Sequence, residues 1–155
     1  MARWDHSHIH KVAAEKERYR GSDDLRNLLR LVTESIYSDD IHYALELIQN
    51  AEDEGATLLS FRVTSTHVIA YNDGEPFDER DVEAICSVET GFKRNKIGFF
   101  GIGFKSVFNI TDAPQIVSGH HNFRIQDCLY PEPVGRTSRD LARSFPEPDR
   151  GALFI

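Results

Sequence analysis

One segment of the chain carries a carboxylate, an amide and a second carboxylate at the spacing of a single helix face. On a wheel turning about 100° per residue, Asn50, Asp53 and His42 fall within about 40° of Glu46. A carboxylate beside an amide oxygen suits a water-activating base next to a Mg²⁺ ligand, because Mg²⁺ is a hard ion that prefers oxygen. The alternative is the solvated face of an amphipathic helix. The opposite side, which we expect to pack on a sheet, carries Ile41, Ala44, Ile48 and Ala51.

A second group of polar residues ends a segment with strand character. Asn72, Asp73 and Gly74 follow β-branched and aromatic residues and form a sharp turn. Side-chain oxygens at this point can accept a hydrogen bond from an exocyclic amine such as that of adenine. A plain Asn-Asp-Gly turn between a strand and a helix is the alternative, and both interpretations stay open here.

Three glycines precede a segment with helical character. Gly98, Gly101 and Gly103 would let backbone N–H groups approach a phosphate, and the following helix would add its positive dipole. Their spacing differs from the dinucleotide-binding fingerprint. Phe104 also displaces Lys105 by one position from the lysine of a P-loop. Neither of these two nucleotide-binding loops matches.

Periodicity and turn residues predict the elements that must position these groups. Between residues 127 and 150, four of the six prolines indicate a long surface excursion. Helices are predicted over 12–20, 23–36, 38–54, 78–85 and 102–109. Strands are predicted over 58–63, 67–71, 115–118, 123–126 and from 151 onward.

Composition excludes several classes of protein. Lys plus Arg number 18 and Asp plus Glu 25, a net charge of −7 that argues against a general binder of nucleic-acid backbones. Cys86 and Cys128 form no C-x-x-C pair, which excludes a disulfide scaffold and favours a reducing compartment. No apolar run approaches the roughly 20 residues of a membrane span. We therefore expect a cytoplasmic protein, or a nuclear one in a eukaryote, that does not bind membranes.

Taken in order, the segments Leu45 to Thr57, Asn72 to Gly74 and Ile97 to Phe104 resemble the GHKL ATPase superfamily. Within it, they are most similar to the sacsin-like, heat-shock-protein-90-type ATP-binding domain. The resemblance covers roughly residues 22–155 and implies a Bergerat fold. That fold is a two-layer α+β sandwich with a mixed, mostly antiparallel sheet, helices on one face and a short ATP lid. Residues 1–21 would then be an N-terminal tail or a short helix, and the chain the N-terminal part of a longer protein.

The resemblance assigns a role to each motif. Glu46 becomes the general base, Asn50 the Mg²⁺ ligand and Asp53 a nucleotide contact. Further nucleotide contacts follow from the other two motifs. They are Asn72, Asp73, Gly74, Lys96, Gly98, Phe100, Gly101, Ile102, Gly103 and Phe104.

The sequence departs from the family pattern on the adenine side. Asn72 stands where the family has an adenine-binding aspartate, and Pro76 replaces a glycine. Either Asn72 contacts the base, or Asp73 does so after a one-residue slip. Gly151 is followed by Ala152 where the family has threonine, a loss of one hydrogen bond that would weaken binding by about 0.5–1.5 kcal/mol.

These observations favour a domain that binds ATP and Mg²⁺, hydrolyses ATP slowly and switches a larger protein between conformations. The resemblance implies that full activity needs a lysine or arginine from a following domain. The expected partners are ATP or ADP, a client protein or following domain, and a second copy in an ATP-dependent dimer. Nucleic acid is not expected for this domain alone. The alternative is a catalytically silent module used for protein–protein interaction.

The short basic segment before Gly98 leads to a first prediction. Lys96 or Arg94 would approach the γ-phosphate when the lid closes and partly replace the missing basic residue. Substituting both with alanine should therefore weaken binding of a triphosphate, as measured by calorimetry. Unchanged affinity would identify the segment as a solvent-exposed basic loop.

Overall fold

The structure is a computed structural model that describes residues 4–36, 41–87, 103–135 and 151–155. Its helices are α1 (Ser7–Lys16), α2 (Asp23–Ile36), α3 (His42–Asp53) and α4 (Glu79–Ile85), with 3₁₀ segments at Glu17–Tyr19 and Phe104–Asn109. Its strands are β1 (Leu59–Val63), β2 (Val68–Asn72), β3 (Gln115–Ser118), β4 (His121–Gln126), β5 (Tyr130–Pro133) and β6 (Ala152–Phe154).

The strands form one open sheet in the order β1-β2-β6-β3-β4-β5. Each of its neighbouring pairs is antiparallel. The last strand in sequence therefore lies at the centre, between β2 and β3. This placement brings the start of β6 beside the end of β2, where the polar turn at Asn72 begins.

Helices cover one face of this sheet, so the predicted two-layer α+β architecture is confirmed. The main core joins residues of α1, α3, α4 and the second 3₁₀ segment to alternate residues of the strands. A smaller cluster on the other face of the central strands includes Ile69, Tyr71, Val117 and Leu153, against which Trp4 packs. The helix-facing core includes Ile9, Val12, Leu47, Val82, Ile85, Phe104, Ile116, Phe123, Ile125 and Phe154.

Local sequence patterns account for most element boundaries. The Ser22 hydroxyl accepts a hydrogen bond from the Leu25 amide at 3.3 Å and so caps α2. Asp78 and Asp81 form a reciprocal capping box at the start of α4. The predicted hairpin of β3 and β4 is confirmed, although β4 begins two residues earlier than expected.

Two expectations need correction or refinement. The surface excursion predicted over 127–150 is wrong at its beginning, because Tyr130–Pro133 pairs with β4 as an edge strand. Prolines are tolerated there since an edge strand leaves one row of amides unpaired. At the other terminus, a helix begins at Ser7 and buries Ile9 and Val12 in the core, so residues 7–16 form the short helix rather than the tail. The rest of the predicted excursion, 136–150, lies outside the described residues.

None of the described helices is long and apolar enough to cross a membrane.

The tightest backbone approach in the sheet leads to a prediction at Gly151. Its φ is +80°, and an added Cβ would overlap the carbonyl group of Asn72. Gly151→Ala should lower the free energy of unfolding by more than about 3 kcal/mol, because a clash is added to left-handed strain. Urea denaturation of the chain measures this loss.

Gly21→Ala provides the matched control for strain alone. Gly21 has a φ of +70°, but nothing lies within 4 Å of an added Cβ. Its expected cost is about 1 kcal/mol. Equal losses for the two variants would contradict the proposed contact between Gly151 and β2.

Candidate functional site

Helix α3 turns Asn50 of its polar stripe toward the interior, and of the side expected to pack on the sheet Ala51 is buried while Ile41 and Ile48 are not. Asn50 is only 2% exposed and is buried together with Leu47 and Ala51. Ile41 and Ile48, which were expected to pack on the sheet, are 63% and 43% exposed. The solvated-face interpretation is therefore wrong for Asn50. Glu46, Asp53 and His42 are half-buried along the same stripe.

Asn50 is the most unusual polar group of this helix. Among the residues that the structure describes, neither its Oδ1 nor its Nδ2 atom has a hydrogen-bond partner. Burying an amide without partners costs about 1–3 kcal/mol, so such groups are rare in folded proteins. An unpaired buried amide is a ready binding group for a ligand that supplies the missing partners.

Glu46 lies one helical turn before Asn50, against the backbone of Gly103. A Cβ at Gly103 would overlap the Glu46 carboxylate, so glycine at this position leaves room for the carboxylate where it lies. Gly103 immediately precedes the 3₁₀ segment Phe104–Asn109, and the Ser106 hydroxyl donates to its carbonyl oxygen at 2.8 Å. The structure thus brings together two of the predicted motifs, the α3 stripe and the end of the glycine segment.

The third motif, the turn that follows β2, contacts the carboxyl end of α3. The Glu75 amide donates to the carbonyl oxygen of Glu54 at 3.0 Å. A Cβ at Gly74 would lie 2.9 Å from the same oxygen and 3.2 Å from Oδ1 of Asn72. The turn after β2 is therefore packed against the carboxyl end of α3, one turn beyond Asn50.

Asn72 and Asp73 make different contacts. Asn72 is buried at 3% exposed, and its Oδ1 accepts a hydrogen bond from the Gly74 amide at 3.1 Å. Asp73 accepts hydrogen bonds from the amides of Leu58 and Thr57 at 2.7 and 2.8 Å and from the Thr57 hydroxyl at 2.8 Å. These bonds, led by the one from Leu58, lower the pKa of the Asp73 carboxyl group. Asp73 thus caps the entry to β1.

Three residues form a row across the central strands beside this turn. Asn72 is paired with Ala152, and Ala152 with Ser118. Directly paired residues share a face of the sheet, and Ala152 belongs to the helix-facing core. The Ser118 hydroxyl donates to Gly151 O at 2.5 Å and accepts from the Phe77 amide at 2.9 Å. The row therefore lies on the same side of the sheet as α3.

Lys105 has a role that the sequence did not indicate. It is 1% exposed, and its Nζ donates to the carbonyl oxygens of Ile85 and Cys128 at 2.6 Å each. Burial lowers the pKa of its ammonium group to about 8. Lys105 thus ties the end of α4 to the turn before β5, in agreement with its displacement from a P-loop lysine. The one sign of this role in the sequence is that Lys105 is a charged residue within an apolar run.

The other predicted nucleotide contacts, those of the glycine segment, either lie in the core or lie outside the described residues. Phe104 lies in the apolar core, with its ring centroid 5.8 Å from that of Phe154. The remaining phosphate-side residues lie outside the described ranges, as does the predicted helix start at Ser38. The phosphate-side set is Lys96, Gly98, Phe100, Gly101 and Ile102, together with Arg94 of the lid hypothesis.

The donor set near α3 is compatible with a hard cation held partly by a ligand. Within the described ranges, no group of three or more His, Cys, Asp or Glu side chains is arranged to hold a metal ion. Asn50 can offer one amide oxygen, and Mg²⁺ commonly takes one or two protein oxygens with substrate phosphates and waters. The residues present fit such a shared site better than a protein-only cage.

Comparisons with known proteins identify relatives of this chain. The family model described as Sacsin domain matches residues 22–132. The chain is 34% identical over 108 residues to Protein NO VEIN of Arabidopsis thaliana, covering 64% of the chain and 4% of that protein. It is 31% identical over 134 residues to Sacsin of Homo sapiens, covering 73% of the chain and 3% of that protein. The chain therefore spans only a small part of the length of these relatives.

The unpaired amide of Asn50 leads to a prediction about stability. Asn50→Leu should raise the free energy of unfolding by about 1–2 kcal/mol, because leucine fills a similar volume without a buried unpaired amide. Gln49→Leu on the same helix is the control, with a change within about 0.5 kcal/mol expected for a half-buried position. Urea denaturation measures both variants. A loss of stability in Asn50→Leu would show that the amide is bonded in solution.

Proposed function

The chain belongs to the Sacsin domain family, and on this premise we propose that it binds ATP with Mg²⁺, hydrolyses ATP slowly and acts as a conformational switch. The proposed site lies between the inward face of α3, the end of β2 and the backbone at Gly103. The order of the three motifs and the two-layer architecture support membership in the GHKL superfamily with its Bergerat fold.

The observation that carries this proposal is the buried, unpaired amide of Asn50. A polar side chain that is kept in the core without partners is costly unless it serves a ligand. An amide oxygen at this point can bind a hard cation that also binds phosphate oxygens. Mg²⁺, when bound, would neutralise charge that develops on the phosphate oxygens.

In this proposal Glu46 acts as the general base. Its carboxylate lies one turn from Asn50 and against Gly103, so a water near both residues would have a proton acceptor beside it. In the proposed reaction the water oxygen bonds to the terminal phosphorus, and the bridging oxygen leaves with ADP. A Glu46 carboxylate oxygen takes the proton of the water.

The base would lie toward the row of Asn72, Ala152 and Ser118. Asn72 supports this assignment better than Asp73, because both oxygens of Asp73 are bonded to Thr57 and Leu58. Asp53 at the end of α3 remains a proposed nucleotide contact. The phosphate-side residues outside the described ranges enter the proposal through the family resemblance alone.

The larger context is also a proposal. Because the chain spans 4% and 3% of its two relatives, ATP binding here would switch only part of a long polypeptide. A lysine or arginine from outside this domain would complete the catalytic site, so turnover by this chain alone should be slow. A client protein, an ATP-dependent second copy and a cytoplasmic or nuclear location stay predictions.

Calorimetry tests the proposal directly. ATP and ADP should bind the 155-residue chain saturably and more tightly with Mg²⁺ present. Asn50→Ala should weaken Mg²⁺-dependent binding by at least about tenfold, since even residues one shell beyond a metal change affinity by about 10–100-fold. GTP is titrated in parallel.

Gln49→Ala is the matched control, because it removes a neighbouring amide from the same helix and should leave affinity unchanged. No heat with any nucleotide would overturn the proposal and favour the catalytically silent interaction module. A nucleotide affinity that changes neither with Mg²⁺ nor in Asn50→Ala would overturn the assigned site.

A further inference from the structure

We propose that residues 4–16, the N-terminal arm, dock on the domain beside a buried histidine, His121, and detach when mildly acidic solution protonates that imidazole. The arm comprises α1 and the three described residues that precede it. This inference concerns a pH-dependent conformational change, and it does not depend on nucleotide binding.

The N-terminal arm contacts the domain at several points without joining its sheet. Ile9 and Val12 of α1 lie in the helix-facing core, and Trp4 packs against the smaller cluster on the other face. The Asp5 amide donates to the carbonyl oxygen of His120 at 3.1 Å. The strands of the described sheet begin only at Leu59, so the arm can leave while the strand pairings persist.

His8 of the arm is buried with an oxygen near each of its ring nitrogens. It is 6% exposed, and its Nε2 lies 3.0 Å from the carbonyl oxygen of Glu79, to which it can only donate. Its Nδ1 lies 3.4 Å from a carboxylate oxygen of Glu79, and its Nε2 also lies 3.6 Å from one of Glu83. A protonated His8 would therefore have an acceptor near each of its N–H groups.

His121, the first residue of β4, lies beside His8 but is not paired in this way. The two ring centroids are 6.4 Å apart, and His121 is 8% exposed. Among the residues that the structure describes, its Nδ1 atom has no hydrogen-bond partner. A neutral imidazole can leave Nδ1 without a proton, whereas an imidazolium carries an N–H at both nitrogens. Protonation in the docked state would thus bury an N–H without an acceptor, which is costly.

The charges around His121 also disfavour its protonation. The pKa of its imidazole is lowered, first by burial and then by the positive charge that His8 and His120 can carry. Glu79 and Asp5 act in the opposite direction but do not offset these effects.

Other titratable groups lie near this pair of histidines or on the elements that pack against it. On the arm, the Nε2 atom of His6 is also buried without a partner among the described residues, and Lys11 lies 3.9 Å from Glu83. On β4 and β5, Arg124 and Glu132 pair with each other at 2.8 Å. Arg124 lies an odd number of positions after His121, so that ion pair is on the opposite face of the sheet.

The pH range of the release follows from the direction of the His121 shift. A free imidazole has a pKa of about 6.5, and the pKa of docked His121 lies lower. The docked state is therefore fully favoured above about pH 6.5 and loses stability as pH falls through this value toward the lowered pKa. Asp and Glu side chains titrate near pH ~4, so a measurement between these limits separates the histidine effect from general acid unfolding.

Hydrogen exchange read by mass spectrometry tests the release on the 155-residue chain. After correction for intrinsic exchange rates, protection of the α1 amides should fall about five- to tenfold between pH 7.5 and pH 5.5, as expected for one added proton. Amides of β2, β3 and β6 should keep their protection. Trp4 is the one tryptophan of the chain, so its fluorescence emission should shift to longer wavelength over the same range.

His121→Gln is the decisive variant, because glutamine is polar but does not titrate. Protection of α1 in this variant should change by less than about twofold between the two pH values. His10→Gln is the matched control, since it removes an exposed imidazole from the same helix and should keep the wild-type pH dependence. Thermal melts at pH 7.5 check folding, and His121→Phe replaces the glutamine variant if that variant does not fold.

Three results would contradict the proposed release. Constant protection of wild-type α1 over this range would show that the arm does not respond to pH. A pH dependence that persists in folded His121→Gln or His121→Phe would show that another group is responsible. Simultaneous loss of protection in the arm and the sheet would show acid unfolding of the whole domain instead of release of the arm.

Discussion

Three glycine backbones allow the close approaches on which the geometry of the candidate site depends. Gly103 leaves room for the Glu46 carboxylate, Gly74 for the end of α3, and Gly151 for the carbonyl group of Asn72. A side chain at Gly74 or Gly151 would meet the backbone of another element, whereas one at Gly103 would displace the Glu46 carboxylate. The strand order reinforces this arrangement, because β6 lies centrally and starts beside the end of β2.

Polar groups inside this arrangement fall into two classes. Lys105, Asp73 and Ser118 have their hydrogen bonds satisfied by backbone and neighbouring side chains, so they hold elements together. Asn50 is buried without such partners among the described residues, and it reduces stability instead. A fold that keeps this cost beside a carboxylate and a glycine backbone has the pattern of a binding site rather than of a core.

Local patterns predicted the elements well where the governing contacts are also local. The caps at Ser22 and Asp78 and the β3–β4 hairpin depend on residues only a few positions apart. The buried face of α3 was predicted correctly for Ala51 but wrongly for Ile41 and Ile48, because both sides of that helix carry apolar residues. Proline-rich β5 was missed because pairing with β4 at a sheet edge is a nonlocal event.

The sequence by itself determined the element types, the chemical groups of the candidate site and their order along the chain. Those properties follow from residue type and short-range spacing, which folding does not alter. Only the tertiary structure decided that Asn50 faces inward and that Asp73 is committed to the entry of β1. Each of these depends on which element lies opposite, and packing between elements distant in sequence sets that arrangement.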